Sequence, residues 1–217
     1  QLYRTNNSRI YENTLTANYM SGIQLFCSSN NSVLRNTMKS SKRGLVLDES
    51  SNNTIVGNII TNNFGGISIW GYSNHIFANN ITDNTYGIFP GGYSNKIYHN
   101  NFVNNTHQFD IEDGDPNIWD DGYPSGGNYW SDYEGIDEKK GSNQDQTGSD
   151  GIGDTKYAID TNNDTYPLIA PFNTFNAGTW NTKAYNIDII SNSTISNFTF
   201  APSPYEPFIS FNVTGQN

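Results

Sequence analysis

The sequence predicts an all-β fold, a right-handed parallel β-helix of about five coils with roughly 22 residues each. The first observation is an internal repeat, in which one apolar position returns after 23, 22, 21 and 21 residues. It comprises Ile10, Val33, Ile55, Ile76 and Ile97. The second is the composition, with 34 Asn, 21 Ser and 19 Thr, whose side chains compete with helical hydrogen bonds and favour turns.

Further columns of residues recur in the same register. Three residues after each apolar position comes an asparagine, at Asn13, Asn36, Asn58, Asn79 and Asn100, and two residues later another apolar side chain. Glycines follow at Gly22, Gly44, Gly66 and Gly87, each preceding an apolar residue. Apolar residues two apart indicate strands, and coils stacked about 4.8 Å apart would bury them around one core. We expect the asparagines to form a structural amide ladder rather than a binding site.

Charge divides the chain into unlike segments. Residues 1–109 hold seven basic and four acidic side chains, whereas residues 110–164 hold three basic and fifteen acidic ones. No basic cluster is present to hold nucleic acid, and no segment approaches the ~20 apolar residues of a membrane span. The acidic segment is also rich in Gly and aromatic residues, and it is expected to cover the open end of the β-helix. Its aromatics, Trp119, Tyr123, Tyr129, Trp130 and Tyr133, would either pack on the last coil or offer a sugar-stacking surface.

The acidic segment also contains a candidate calcium loop. Asp150-Gly151-Ile152-Gly153-Asp154 resembles the Asp-Gly-Ile-Gly-Asp element of thrombospondin type-3 calcium repeats, and Ca²⁺ prefers such oxygen ligands on a glycine-containing turn. The predicted ligands are Asp145, Asp150, Asp154, Asp160, Asn162 and Asp164, the alternative being a solvated loop with Asx-turns. Copper is not expected, because the His, Met and Cys residues form no close cluster.

Candidate binding and catalytic residues are sparse in the coils. Trp70, Tyr72, Tyr86 and Tyr93 form the candidate sugar or subunit contact, with Tyr72 and Tyr93 expected to stack on successive coils. The carboxylates Glu12, Asp48, Glu49 and Asp83 fall in different columns, and Asp110, Glu112 and Asp113 lie at the cap boundary. No catalytic residue is assigned, and the sequence favours a protein without enzymatic activity. Cys27, the only cysteine, excludes an intrachain disulfide and is expected to be buried as a small apolar residue.

Two stretches resemble the parallel β-helix repeats of the NosD-like family. They are Asn52–Ile60 and Asn62–Ile69, and the later stretch Trp119–Tyr133 is similar as well. The resemblance spans roughly residues 5–171 and implies a β-helix of the kind found on archaeal cell surfaces, often with β-sandwich modules. The repeat family includes sugar-cleaving, sugar-binding and purely structural members, so fold alone does not decide function.

Four segments are predicted along the chain: repeats over 1–114, the cap over 115–172, a linker over 173–182, and strands over 183–217. The last segment resembles the beginning of an immunoglobulin-like module. Its 35 residues are too few for a sandwich, so the chain either continues or exchanges strands with another molecule. Both ends look unfinished, which suggests a fragment or a subunit that stacks head to tail.

The sequence therefore predicts an extracellular, cell-surface β-helix glycoprotein with a structural or adhesive role. Calcium is the predicted ligand of its cap, and no copper site is expected. Nine Asn-x-Ser/Thr sequons are candidate glycosylation sites. They are Asn6, Asn30, Asn52, Asn80, Asn104, Asn163, Asn192, Asn197 and Asn212. Expected partners are further copies of the chain, neighbouring surface proteins or glycans. The alternative function is binding or cleavage of an extracellular polysaccharide.

Overall fold

A computed structural model describes residues 1–111, 116–180, 183–190, 194–201 and 208–214. Regular structure in these residues consists of β-strands, and none of them belongs to a helix with the length and apolarity needed to cross a membrane. The first seventeen strands are β1 Leu2–Tyr3, β2 Arg9–Tyr11, β3 Thr14–Thr16, β4 Ser21–Phe26, β5 Ser32–Leu34, β6 Thr37–Lys39, β7 Arg43–Asp48, β8 Thr54–Val56, β9 Ile59–Thr61, β10 Gly65–Trp70, β11 His75–Phe77, β12 Asn80–Thr82, β13 Tyr86–Pro90, β14 Lys96–Tyr98, β15 Asn101–Val103, β16 His107–Phe109 and β17 Tyr129–Trp130.

These strands form three parallel sheets that run the length of the repeat. Sheet 1 has the order β1-β4-β7-β10-β13-β16, sheet 2 the order β14-β11-β8-β5-β2, and sheet 3 the order β17-β15-β12-β9-β6-β3. Each strand pairs with its counterpart one coil away, for example Ile76 with Ile55 and with Ile97. The predicted parallel β-helix is confirmed, because strands of one sheet are always separated by a strand of each other sheet.

Apolar columns from all three sheets fill the axis of the β-helix. Ile23, Leu45, Ile67 and Ile88 stack in sheet 1, and the repeat position from Val33 to Ile97 is fully buried. The glycine column is explained by close approach: a Cβ atom on Gly44 would lie 2.4 Å from Ile60 Cγ2 and 2.7 Å from the Gly66 carbonyl oxygen. Any larger residue there would push the third sheet away from the first.

The cap begins as a sixth coil and then departs from the repeat. β17 extends sheet 3, and Trp130 stacks on Phe102 with ring centroids 4.3 Å apart. Trp119 and Trp130 are 2 % and 1 % exposed, so core packing is confirmed for these two aromatics. The remaining cap strands are β18 Lys139–Lys140, β19 Gln146–Thr147, β20 Tyr157–Ile159 and β21 Asn162–Asp164, paired as two antiparallel hairpins.

The chain divides into two compact units, residues 1–169 and 170–217. The second contains β22 Phe172–Trp180, β23 Lys183–Ile190, β24 Thr194–Ala201 and β25 Phe208–Thr214, joined as antiparallel pairs β22-β23 and β24-β25. The three strands predicted after residue 183 correspond to β23, β24 and β25. The sequence predicts a linker over residues 173–182, but β22 covers residues 173–180 of this segment. The sequence of β22 lacks a regular apolar alternation, and the strand forms by pairing with β23.

Candidate functional site

Asparagine ladders line all three corners of the β-helix. The predicted ladder lies between sheets 2 and 3 and is confirmed, with one additional member: Asn13, Asn36, Asn58, Asn79, Asn100 and Asn128. A second ladder, between sheets 1 and 2, contains Asn31, Asn53, Asn74, Asn95 and Asn117. A third, between sheets 3 and 1, contains Asn63, Asn84 and Asn105. The two additional ladders carry the same spacing of 21 to 22 residues in the sequence, which is the signal that would have revealed them.

Each asparagine, or rung, inside a ladder uses both the nitrogen and the oxygen of its side-chain amide. The Asn79 Nδ2 amide donates to Asn100 Oδ1 at 2.9 Å and to the Ile55 and Phe77 carbonyl oxygens at 3.0 Å. Its Oδ1 accepts from both the backbone N–H and the Nδ2 of Asn58, each at 2.9 Å. Buried polar groups are thus satisfied within the repeat, and these side chains have no capacity left for a ligand.

Asp164 ends the ladder between sheets 2 and 3, which we call the central ladder. Its Oδ2 accepts hydrogen bonds from the Asn128 backbone N–H at 2.7 Å, the Trp130 Nε1–H at 2.9 Å and the Asn128 Nδ2 at 3.3 Å. Burial raises the pKa of this carboxyl to about 7, although these hydrogen bonds act in the opposite direction. Asp164 is one of the predicted calcium ligands. It lies at the corner between sheets 2 and 3, where it joins the β20-β21 hairpin to Asn128, the last asparagine of this ladder.

Two of the other predicted calcium ligands, Asp150 and Asp154, accept hydrogen bonds from one segment of the cap, residues 138–144. Asp150 accepts from the Gly141 N–H and the Gln144 amide, and Asp154 accepts from the N–H groups of Glu138 and Lys139. Asp145 and Asp160 are exposed, and Asn162 pairs with Ile159 in β20-β21. Within the described ranges, no group of three or more His, Cys, Asp and Glu side chains is placed to hold a metal ion. Calcium binding therefore stays a prediction.

Aromatic side chains cluster at the corner between sheets 1 and 2. The rings of Tyr72 and Tyr93 stack at 5.3 Å with an interplanar angle of 7°, as their spacing predicts. Trp70, Tyr72 and Tyr93 are 49 %, 46 % and 51 % exposed. We call these three residues the aromatic corner. Because the two tyrosines stack face to face, they present ring edges and hydroxyl groups outwards and not one continuous flat surface.

Tyr86 does not belong to the aromatic corner. It lies in β13 on the outer side of sheet 1, where its ring contacts Phe64, Phe89 and His107. The Arg43 guanidinium lies over the rings of Phe64 and Phe89, at 5.2 and 4.3 Å. The predicted set of four aromatics is therefore divided between two surfaces.

The carboxylates considered for catalysis have different surroundings. Glu12 forms an exposed ion pair with Arg35 at 3.9 Å, and Asp48 is the register neighbour of Trp70. Glu112 and Asp113 lie outside the described residues. The prediction for Cys27 was wrong: it occupies a left-handed turn position, is only partly buried, and lies 3.0 Å from Glu49 Oε2, which raises the pKa of the thiol.

Six sequon asparagines lie on the surface of the first unit. Asn6, Asn30, Asn52, Asn80, Asn104 and Asn163 are all exposed. Asn192 lies outside the described residues, and the side chains of Asn197 and Asn212 do as well. In the sequons that begin at Asn30, Asn52 and Asn104, the middle residue is buried in a ladder, whereas the first residue is exposed.

Comparison with known proteins agrees with this architecture. A family model described as "Periplasmic copper-binding protein (NosD)" matches residues 1–135, which is more than half of the chain. Searches of curated proteins and of solved structures found no significant match. The description places the family in the periplasm, in agreement with the predicted location outside the cytoplasm. The chain therefore belongs to the NosD family, and its β-helix is the part that the family model covers.

Proposed function

We propose that this chain is a non-catalytic, structural or adhesive β-helix protein of the cell surface. The observation that supports this most strongly is the use of the repeated polar residues. These asparagine side chains form hydrogen bonds with one another in three ladders, and the central ladder ends on Asp164. The coils therefore gain rigidity from these side chains and retain no repeated catalytic group.

Glycosylation at the exposed sequons would suit such a protein. Asn30 and Asn52 occupy the same turn position in neighbouring coils, since their backbone N–H groups donate to Ser51 and Tyr72. Asn163 lies on the β20-β21 hairpin. Glycans at these positions would surround the β-helix without disturbing its core, because the asparagine side chains project from turns.

Assembly with further copies is also proposed, and it would involve surfaces other than the covered end of the sheets. The cap residues Ile118 and Trp130 continue sheets 2 and 3, and Leu168 bridges Tyr129 and Ile152. Strand pairing between copies at this end would require displacement of the cap. Contacts through the outer faces require no such change.

Copper, which the family description names, is not proposed for this chain. His75 lies in β11, His99 contacts Ser125, and His107 stacks on Tyr86. Met38 is fully buried in the core and Cys27 contacts Glu49. The soft and nitrogen donors that copper prefers are thus on separate surfaces, and they do not fit a copper centre.

Negative-stain microscopy and a polysaccharide-cleavage assay test the proposal together. Native material is compared with and without a calcium chelator, and intact mass is measured before and after chemical deglycosylation. We expect ordered multimers, a glycan-dependent mass and no new reducing ends from plant, algal or bacterial polysaccharides. Sustained release of reducing ends, abolished by replacing β-helix carboxylates, would overturn the non-catalytic assignment.

A further inference from the structure

The corner between sheets 1 and 2 changes shape between the coil that contains Asp48 and the coil that contains Trp70. Between Asp48 and the ladder residue Asn53 the turn has four residues, 49–52, but between Trp70 and Asn74 it has three, 71–73. Glu49 therefore has no counterpart in the next coil. A Cβ atom on Gly71 would lie 2.0 Å from the Ser50 carbonyl oxygen, so the shorter turn fits only because this residue is glycine.

Trp70, directly before the shorter turn, lies between two smaller neighbours in its column. Asp48 precedes it in the same column, and Gly91 follows it, with indole Cδ1 at 3.4 Å from the position that a Gly91 Cβ would take. The indole is half exposed. It consequently rises above the surface on either side and offers apolar ring area that no neighbouring side chain of similar size covers.

Tyr72 adds a second ring surface beside it. One face of Tyr72 stacks on Tyr93, whereas the preceding coil contributes only Ser51, whose Oγ accepts from the Tyr72 N–H at 3.1 Å. Among the described aromatic residues, none stacks on the face of Tyr72 that is directed towards Ser51. The boundary between these two coils is thus a step. The preceding coil contributes the small polar side chains of Asp48 and Ser51, and the following coil contributes the rings of Trp70 and Tyr72.

A carboxylate lies at the foot of this step. The Asp48 side chain makes no hydrogen bond or ion pair within the described part of the chain, and its backbone is paired with Trp70. Glu49, next to it, lies 3.0 Å from the Cys27 thiol through Oε2. An unpaired carboxylate accepts hydrogen bonds strongly, and it repels other anions.

We propose that this step, formed by Asp48, Trp70 and Tyr72, binds the pyranose rings of a neutral polysaccharide. The aromatic rings contact the apolar C–H faces of the sugars, and the Asp48 carboxylate accepts hydrogen bonds from their hydroxyl groups. Uronate or sulfated chains are disfavoured by the carboxylates of Asp48 and Glu49, which lie beside the aromatic rings. This binding function goes beyond the proposed scaffold role and does not depend on it.

Isothermal titration calorimetry of the complete chain tests the site. The probes are hexasaccharides of β-1,4-glucose, β-1,4-xylose, β-1,4-mannose and β-1,4-N-acetylglucosamine, with oligogalacturonate and oligoalginate as the anionic set. We expect at least one neutral hexasaccharide to bind, and W70A, Y72A and D48N each to weaken it by about tenfold or more. D48N should also reduce the discrimination against oligogalacturonate.

Tyr19→Ala is the matched control, because Tyr19 is 92 % exposed and lies before β4 at another corner. It should leave affinity unchanged, and circular dichroism with thermal melting confirms that every variant is folded. Three results would each overturn the proposal: absence of binding by all four neutral probes, unchanged affinity in folded W70A and Y72A, or preferential binding of an anionic probe. None of these results bears on multimer formation, so the scaffold proposal is tested separately.

Discussion

The β-helix and its cap satisfy their buried polar groups in opposite ways. In the coils, an asparagine amide donates to the equivalent amide of the next coil, as Asn58 does to Asn79. In the cap, carboxylates accept backbone N–H groups from other turns, as Asp137 accepts from Asp150 and Gly151. An amide both donates and accepts and so suits an indefinite stack, whereas a carboxylate only accepts and therefore suits an end.

This difference gives several of the acidic residues after residue 110 a structural role. A stack in which every Nδ2 donates in the same direction finishes with unsatisfied donors, and Asp164 accepts them. The two other corners end differently, on Pro90 and Gly92 carbonyl oxygens near Asn117 and on Gln108 near Asn105. Negative charge in this cap thus has a structural use, apart from any cation.

Removing a rung from the middle of a ladder should have the largest effect. In Asn79→Ala, the Asn58 N–H and Nδ2 lose their acceptor and the Ile55 carbonyl loses its donor. We expect the free energy of unfolding in urea to fall by about 4 kcal/mol, since each unsatisfied buried group costs ~1–3 kcal/mol. Asn143→Ala, at an exposed turn position, is the control and should change it by less than about 0.5 kcal/mol. Equal losses would mean that the ladders contribute nothing specific.

The carboxyl at the end of the ladder should make stability depend on pH. Its pKa is about 7 in the folded chain against an ordinary value of 3.8, so the folded state binds this proton more tightly than the unfolded state. From pH 4 to 7, rising pH should therefore lower its contribution to the free energy of unfolding, by at most ~1.4 kcal/mol per pH unit. Urea titrations of wild type and Asp164→Asn isolate this contribution as a difference. Parallel pH profiles would show that Asp164 does not titrate in this range.

The two buried tryptophans of the cap offer a sharper comparison. Trp130 Nε1 donates to Asp164, but Trp119 Nε1 is buried and has no hydrogen-bond partner in the described structure. Both replacements by Phe remove similar volume, so their difference reports the hydrogen bond. We expect W130F to lose about 1–2 kcal/mol more than W119F in chemical unfolding monitored by circular dichroism. The reverse order would contradict the role given to Asp164.

A gain of stability is expected where a ladder is interrupted. Ser41 occupies a rung between Asn18 and Asn63, and the buried Asn18 Nδ2 has no partner among the described residues. Ser41→Asn would provide an acceptor for Asn18 and a donor for Asn63 Oδ1. We expect the thermal midpoint to rise with a gain of about 1 kcal/mol. Ser142→Asn, at an exposed cap position, serves as the control, and a decrease at Ser41 would indicate that the corner cannot hold the larger side chain.

Much of the β-helix could be predicted from the sequence because its contacts are copies of one another. The position of Ile76 between Ile55 and Ile97 follows from the spacing, and so does the stack of Tyr72 on Tyr93. Asn128 escaped prediction, since it follows Asn100 by 28 residues, with a loop inserted before the rung is completed. A single irregular interval is enough to hide a rung from a search for periods.

The candidate sites depended on contacts that have no period. Tyr86 was grouped with Trp70 on sequence proximity, but sheet geometry directs it to a different surface. Asp150, Asp154 and Asp164 resemble a ligand series in the chain, yet Asp164 accepts hydrogen bonds from Asn128 and Trp130, whereas Asp150 and Asp154 accept them from residues 138–144. Proximity within a non-repeating cap depends on how its hairpins fold back, which local spacing does not encode.

The sequence by itself determined the fold class, the number of coils, the apolar columns and one amide ladder. A repeat specifies its own neighbours, because each coil can pair only with a copy of itself one period away. Only the tertiary structure decided that Asp164 ends the ladder that contains Asn128. That contact joins the ladder to a hairpin 36 residues further along the chain, and it follows from burial and chain geometry and not from periodicity.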